Sequence, residues 1–321
     1  MTLYDEYSAM TSAPLVSAFP AQMQGDFLKL ARQYAELQMM FHQTKSEPRQ
    51  MRQTLRYYGG KWKIADWIVS YIPTHKLYLE TCFGSGGVFF TKDPSQVEVI
   101  SDLSGNVVHF FKTLRDHADE LVRAIVLTPY AESEYLASRM SASTDDIERA
   151  RRFYACLELG RGGTGYHNGG YRRDRKKTRN VSVTTEFQAV HHIYMAAARL
   201  KNAQLDQANL FKQIARYDDP DTCVYIDPPY VYNTRGAGKP IYEHEMADSE
   251  HERMAELLHD SKSMFMLSGY PSKLYDRLFA DWTCVTCKTQ DVNANTQVEC
   301  LWLSPNAVKA QRQPRMFEGV I

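Results

Sequence analysis

The chain has 321 residues, 44% of them apolar and 24% charged, and its acidic and basic residues balance to a formal net charge of zero. That composition can bury one large core and a small appendage. It leaves no chain-wide attraction for nucleic acid, so any such contact has to come from a local cluster. No apolar run approaches the roughly 18 residues that span a bilayer, and no basic, apolar, small-residue start marks a signal peptide, so a cytoplasmic protein is expected. The six cysteines, Cys82, Cys156, Cys223, Cys284, Cys287 and Cys300, fall in strand-like or helical runs and are expected as free thiols. Cys284 and Cys287 have metal-ligand spacing but no second pair at a suitable interval, so no metal is expected.

Residues 1–50 form an N-terminal extension, without periodicity as far as Phe19. From about 21 to 44 an amphipathic helix is predicted, because Met23, Phe27, Leu30, Tyr34, Leu37 and Phe41 recur in the alternating four-three rhythm of a coiled-coil seam. Such a seam packs either on the chain's own catalytic domain or on a second protomer.

Leu77 to Glu80 reads as a short strand, followed by Thr81-Cys82-Phe83-Gly84-Ser85-Gly86-Gly87 and the apolar Val88-Phe89-Phe90. Strand, glycine-rich turn and helix is the arrangement that lets a nucleoside-bearing cofactor approach the backbone closely. A second strand, Val97 to Ser101, ends in Asp102. That residue is placed either to take both hydroxyls of a ribose or to cap the helix predicted over about 105–114.

Between residues 161 and 180 stand Arg161, Arg172, Arg173, Arg175, Lys176, Lys177 and Arg179 against Asp174 alone, beside the glycine-rich run Gly160 to Gly170. Such a cluster supplies salt-dependent phosphate contacts, and its arginines can read guanine edges; the bland alternative is a solvated charge run. A helix is predicted from Thr185 to Leu200. His191 and His192 on it point about 100° apart and do not converge on a common ligand.

Thr222 to Ile226 is a β-branched and aromatic run that reads as a buried strand, and Asp227-Pro228-Pro229-Tyr230 ends it, because proline has no N–H for the ladder. In an open α/β sheet the C-terminal ends of the strands are where ligands bind. An exocyclic base amine is a weak nucleophile whose lone pair is spread into the ring. Hydrogen bonds from both its protons, to the Asp227 carboxylate and the Pro228 carbonyl, push the nitrogen toward a nucleophilic state. Tyr230 offers a ring on which an extruded base can stack, worth roughly 1–3 kcal/mol. The loop from Val231 to Lys239, with Arg235, is placed to close over that base. Ser249 and Glu252 then suggest a capping box, and Ser263 to Leu267 reads as the next strand.

Arg56 to Lys61, Glu80 to Gly87, Asp102 to Asn106, Asp227 to Tyr230, Leu267 to Pro271 and Glu299 to Pro305 resemble, in that order, the blocks of the Dam-like DNA adenine N6-methyltransferases. The resemblance implies a Rossmann-like α/β fold with a mixed seven-stranded sheet and an inserted target-recognition region. It implies S-adenosylmethionine as methyl donor and adenine in double-stranded DNA as acceptor, hence a nucleoid-associated enzyme. By the same resemblance Tyr57, Lys61, Glu80, Cys82, Gly84, Gly86, Asp102, Asn209 and Asp227 bind the cofactor, and Asp227, Pro228, Pro229 and Tyr230 are catalytic. The family's Glu-Pro-Phe is Glu80-Thr81-Cys82 here, and Asn209 stands where an acid usually meets the cofactor's adenine, which leaves room for a binding protein that has lost activity. An RNA adenine methyltransferase is the other alternative. The implied divisions are 51–130 for the cofactor half, 131–185 for recognition, 186–305 for the catalytic half and 306–321 for a tail.

Overall fold

The computed structural model describes residues 53–140, 143–161, 170–173, 183–188, 190–234, 244–290 and 296–311. Contacts divide the chain into Met1–Gln50 and Met51–Ile321. The described residues all belong to the second unit, so the predicted helix carrying Met23 to Phe41 lies outside them.

Seven strands make one sheet in the order β3-β2-β1-β4-β5-β7-β6. They are β1 (Leu77–Glu80), β2 (Val97–Asp102), β3 (Ala203–Gln207), β4 (Thr222–Ile226), β5 (Met264–Gly269), β6 (Thr283–Gln290) and β7 (Thr296–Leu303). The first five run parallel, while β7 is antiparallel to both β5 and β6. This is the mixed α/β architecture that the motif order implies. The chain leaves β1 toward one sheet edge and β4 toward the other. Their C-terminal ends, with Glu80 in register with Tyr225, therefore form a topological switch point where a crevice opens.

Strand residues alternate between two cores because successive side chains point to opposite faces. Tyr78, Cys223, Tyr225, Met264 and Met266 enter one core, and Leu79, Val224, Ile226, Phe265 and Leu267 the other. With both faces covered, all of β4 is buried, which is why Thr222 to Ile226 reads as an unbroken apolar run rather than an alternating one.

The first core takes residues of α1 (Ala65–Val69), α2 (Gly87–Thr91), α3 (Gly105–Asp116), α4 (Ala118–Val126), α5 (Glu132–Met140), α6 (Asp146–Leu159), α7 (Val183–Gln188) and α8 (His191–Leu200). The second takes residues of α9 (Leu210–Arg216), α10 (Asp248–Asp260) and α11 (Lys273–Leu278), while α12 (Pro305–Gln311) returns Ala307 to the first.

Two expectations change. Tyr135, Phe153 and Tyr154 of the segment 131–185, and Phe187 just after it, join the core that holds Phe110 and Phe111. Phe110 and Tyr154 stack at 6.1 Å between centroids. The helix predicted from Thr185 to Leu200 is two helices, α7 and α8, with His192 buried. The capping contact of α10 falls two residues earlier than predicted. The Ala247 N–H donates to the Glu250 carboxylate at 2.9 Å, while Glu252 pairs with Arg277 at 2.6 Å.

Candidate active site

The turn after β1 is shaped by glycine at two positions. Gly84 has φ +51° and Gly86 φ +68°, the left-handed region that side chains disfavour. A Cβ on Gly86 would also stand 2.4 Å from the Phe83 ring and 2.7 Å from that of Phe90. The carboxylate of Asp102 ties the turn down, accepting the Gly84 N–H at 2.8 Å on Oδ2 and the Ser104 N–H at 2.8 Å on Oδ1. Asp102 is thus both the last residue of β2 and the clamp between two loops.

A cavity of about 210 Å³ opens at these strand ends. Tyr57, Lys61, Glu80, Cys82, Gly84, Asp102, Asn209 and Asp227 all line it, as do Pro229, Leu103, Phe211 and Met246. Residues far apart in sequence are brought together by the switch point. Gly86 departs from its expected place on the wall: it is the N-cap of α2 and packs on phenylalanines instead. Asn209 caps α9, its Oδ1 accepting the Lys212 N–H at 2.9 Å, which leaves the NH2 group to serve a ligand.

Three buried carboxylates lie in and behind this wall: Glu80 and Asp227 line the cavity, Glu299 stands behind Tyr230, and Lys61 pairs with Asp227 and acts on Glu299. The Lys61 Nζ donates to the Gly59 carbonyl at 2.7 Å and pairs with Asp227 Oδ2 at 2.9 Å. Oδ1 of Asp227 is buried and has no hydrogen-bond partner among the described residues. Burial pushes the Asp227 carboxyl above its ordinary range, with Lys61 holding it back. Burial likewise lifts Glu80 to about 8, although the Tyr78 hydroxyl donates to it at 2.7 Å, and the Asp227 charge adds to the rise. Glu299 is raised by burial too. Burial outweighs the cations beside these acids, Lys61 at Asp227 and Glu299 and Lys92 at Glu80, so all three carboxyls stay raised.

Tyr230 does not present the open ring face expected of it. It is 6% exposed, and neither it nor Pro228 lines the cavity. Its hydroxyl donates to Glu299 at 2.8 Å, its ring meets Tyr270 edge-on at 4.7 Å, and the Lys61 ammonium lies 4.8 Å from the ring centroid. A cation against the ring and a buried acid on the hydroxyl account for the closure.

The basic cluster is divided. Arg172 is turned inward, 7% exposed and paired with Glu186, so it is corrected from a DNA contact to a buried structural cation. Burial without a partner would be prohibitive for it, and Glu186 on α7 supplies the partner. Arg173 is half exposed, lies over the Tyr171 ring and pairs with Glu132. Arg161 is exposed. Gly160 bridges Tyr171, with the Arg161 N–H donating to Gly170 at 3.0 Å and the Arg172 N–H to Leu159 at 2.7 Å, which pinches the ends of the glycine-rich run together. Arg175, Lys176, Lys177, Arg179 and Arg235 lie outside the described residues.

Glu299 was not singled out as a site residue, although a lone acid on the otherwise apolar start of Glu299 to Leu303 is a signal that sequence offers. Tyr270 lies in the block Leu267 to Pro271 that ends a strand near the pocket, whereas Phe211 carried no such signal. Among the described residues no group of acids, histidines and cysteines is placed to hold a metal.

A family model for the D12 class N6 adenine-specific DNA methyltransferases matches residues 57–293. The chain is 24% identical to the Type II methyltransferase M1.LlaDCHI of Lactococcus lactis subsp. cremoris, over 72% of this chain and 86% of that protein. It is 28% identical to the DNA adenine methylase of Escherichia coli K12, over 56% of this chain and 65% of that one, just under two thirds of the relative's length. A solved structure described as the putative methyltransferase yhhF from Escherichia coli matches with TM-score 0.30 at 11% identity, covering 75% of this chain and 81% of that one, too weak a likeness to add to the strand order.

Proposed function

The chain belongs to the D12 class N6 adenine-specific DNA methyltransferases, so adenine in DNA is its substrate class, and from that premise we propose that S-adenosylmethionine is its methyl donor and that Asp227 is the centre of its chemistry. The observation that carries this is the unpartnered buried Oδ1 of Asp227 at the cavity floor.

The residues present fit that donor. It carries a sulfonium and an ammonium, and the buried acids Glu80 and Asp227 on the cavity wall have raised carboxyls that a cationic ligand would favour in ionised form. Asp102 at the end of β2 would hold the ribose hydroxyls, since each carboxylate oxygen retains acceptor capacity beyond the backbone N–H it takes. Leu103, Asn209 and Phe211 would flank the cofactor's base, with Tyr57 and Gly84 on the wall beside it and Cys82 at its rim. When bound, S-adenosylmethionine supplies an electrophilic methyl group.

The chain's own part is to orient and polarise the acceptor. Adenine N6 is out of reach within a duplex, so the base must leave the stack. Asp227 Oδ1 and the Pro228 carbonyl would take the two amine protons, raising electron density on nitrogen as the methyl arrives. Pro228 and Pro229 fix that carbonyl because neither can rejoin the ladder. Lys61 opposes the burial that raises the Asp227 carboxyl, and so favours the ionised form that accepts hydrogen bonds. Base stacking on Tyr230 would need Lys61 or Tyr270 to shift, given how its ring is covered.

Duplex DNA would be brought in by the exposed Arg161 and Arg173, together with Arg175, Lys176, Lys177, Arg179 and Arg235 of the basic sequence. The predicted helix of residues 21–44 would pair two protomers, letting two sites address the two strands of a symmetric target. Incubating the full chain with methyl-labelled S-adenosylmethionine and duplex DNA, single-stranded DNA or RNA tests the substrate. N6-methyladenine in duplex DNA, lost in Asp227→Ala while DNA binding persists, is the expected result.

A further inference from the structure

We propose that Glu299 is a positioning residue for methyl transfer, acting through the Tyr230 hydroxyl to hold the Asp227-to-Tyr230 segment in register with the cavity. The proposal rests on the assignment of Asp227 as the centre of the chemistry and adds a residue from the far, antiparallel part of the sheet.

Tyr230 ends a segment that cannot be fixed by sheet bonds, since Pro228 and Pro229 have no N–H to donate. Something else has to hold it, and the structure shows three contacts on one ring. Lys61 lies against the ring, 4.8 Å from its centroid. Tyr270, one residue past β5, meets it edge-on at 4.7 Å. Glu299, on β7, takes its hydroxyl at 2.8 Å across 69 residues of sequence.

Of these the Glu299 contact is the directional one. Glu299 is 7% exposed, and a carboxylate that deep costs several kcal/mol to desolvate. A leucine would fill the same volume without that cost, but it would leave the phenol unpaired and the ring held by dispersion and an ammonium alone. The strand is well anchored behind it: Gly269 of β5 is in register with Cys300, and Cys287 of β6 with Glu299. Glu299 therefore presents its carboxylate from a rigid element, as a group that positions another should. Lys61 touches both ends of the arrangement, pairing with Asp227 while its charge steadies Glu299. Without its anchor the phenol would be free to rotate, and Tyr230 would carry the Pro228 carbonyl away from the amine it should polarise.

The test is a set of variants of the full chain: Glu299→Ala, Glu299→Gln, Tyr230→Phe and the double variant Tyr230→Phe with Glu299→Ala. Single-turnover rate, kcat, KM for S-adenosylmethionine and affinity for duplex DNA are measured for each. Glu299→Ala is expected to lower kcat by about 10- to 100-fold with the KM for the donor little changed. Glu299→Gln, whose amide oxygen accepts the same hydrogen bond, should restore kcat to within a few-fold of wild type. Tyr230→Phe should match Glu299→Ala, and the double variant should be no slower than the worse single one, because both remove one bond. If Glu299→Ala does not fold, Tyr230→Phe removes the same bond with almost no change of volume and decides the matter. Wild-type kcat in Tyr230→Phe, or effects that multiply in the double variant, overturn the proposal. A wild-type chain without methyl transfer overturns the assignment beneath it, whereas an active wild type with indifferent variants overturns the role of Glu299 alone.

Discussion

Two buried clusters of charge lie along the same strands and behave in opposite ways. Toward the start of β2, Glu98 is 1% exposed in its side chain, yet Lys92 reaches it at 2.5 Å, Arg199 grips both its oxygens, and the Ser95 N–H donates at 3.1 Å. Burial would raise its carboxyl, but the hydrogen bonds from Arg199 and Lys92 outweigh that and leave it below the ordinary range. At the C-terminal ends of β1 and β4 the depth is similar and the sign reversed. Glu80, Asp227 and Glu299 are all raised, burial being the largest cause for each, with Lys61 opposing it at Asp227 and Glu299 and Lys92 at Glu80. Tyr78 joins the two clusters, with Lys92 4.3 Å from its ring centroid and its hydroxyl on Glu80. One acid with two cations is a finished structural element. Buried acids whose carboxyls stay raised beside a cavity form a site that a cationic ligand completes.

That contrast can be broken most severely at Asp227. Replacing it with alanine should cut methyl transfer by on the order of 10³, comparable to removing a group aimed at developing transition-state charge. Thermal stability should fall less than in Glu98→Ala, because burial raises the Asp227 carboxyl and Lys61, left without its partner, keeps the Gly59 carbonyl; an equal drop in Tm would place Asp227 with Glu98 instead. Glu98→Ala should do the reverse and destabilise the fold by about 3–5 kcal/mol, leaving two buried cations unpaired. Denaturant unfolding measures this, and the folded fraction should keep its turnover.

A smaller effect separates the clusters by pH. Glu80 has a folded pKa of about 8 against an ordinary 4.5, so the folded chain binds its proton more tightly than the unfolded one. Its contribution to stability is complete below about 4.5, declines as pH rises toward 8, and is flat above. Glu80→Gln removes the decline, so denaturant midpoints of variant and wild type should diverge steadily between pH 5 and 8. Parallel midpoints would mean that Glu80 is ionised throughout. The smallest change expected is in salt dependence. Serine at Arg175, Lys176 and Lys177 should weaken duplex binding evenly across sequences and reduce the slope of log K against log salt, by about 0.9 for each phosphate that is no longer neutralised. Arg172→Lys should instead show itself in Tm.

The motifs of the site were legible because each is a local rule: prolines ending Thr222 to Ile226, glycines after Glu80, and an acid after Val97 to Ser101. The mixed seven-stranded sheet was implied by the family resemblance of the blocks, whereas the strand order that brings them within one cavity is seen only in the structure. What sequence could not show was direction. Arg172 and Arg173 are adjacent and chemically alike, and only the position of Glu186 on α7 turns one of them inward. Asp102 looked like a ribose ligand or a cap, yet it also clamps the glycine turn through Gly84. The aromatic residues of 131–185 carried no mark of joining the main core, since a stripe of phenylalanines and tyrosines fits a separate module equally well.

Calorimetric titration of S-adenosylmethionine into the full chain at pH 7, repeated in buffers of different ionisation heat, tests the charge deficit most directly. A donor that brings cationic groups to Glu80 should drive off its proton, so binding should release up to about one proton per site, and Glu80→Gln should bind with much less release. Proton-neutral binding, or equal release by wild type and Glu80→Gln, would contradict the picture of buried acids awaiting a cation.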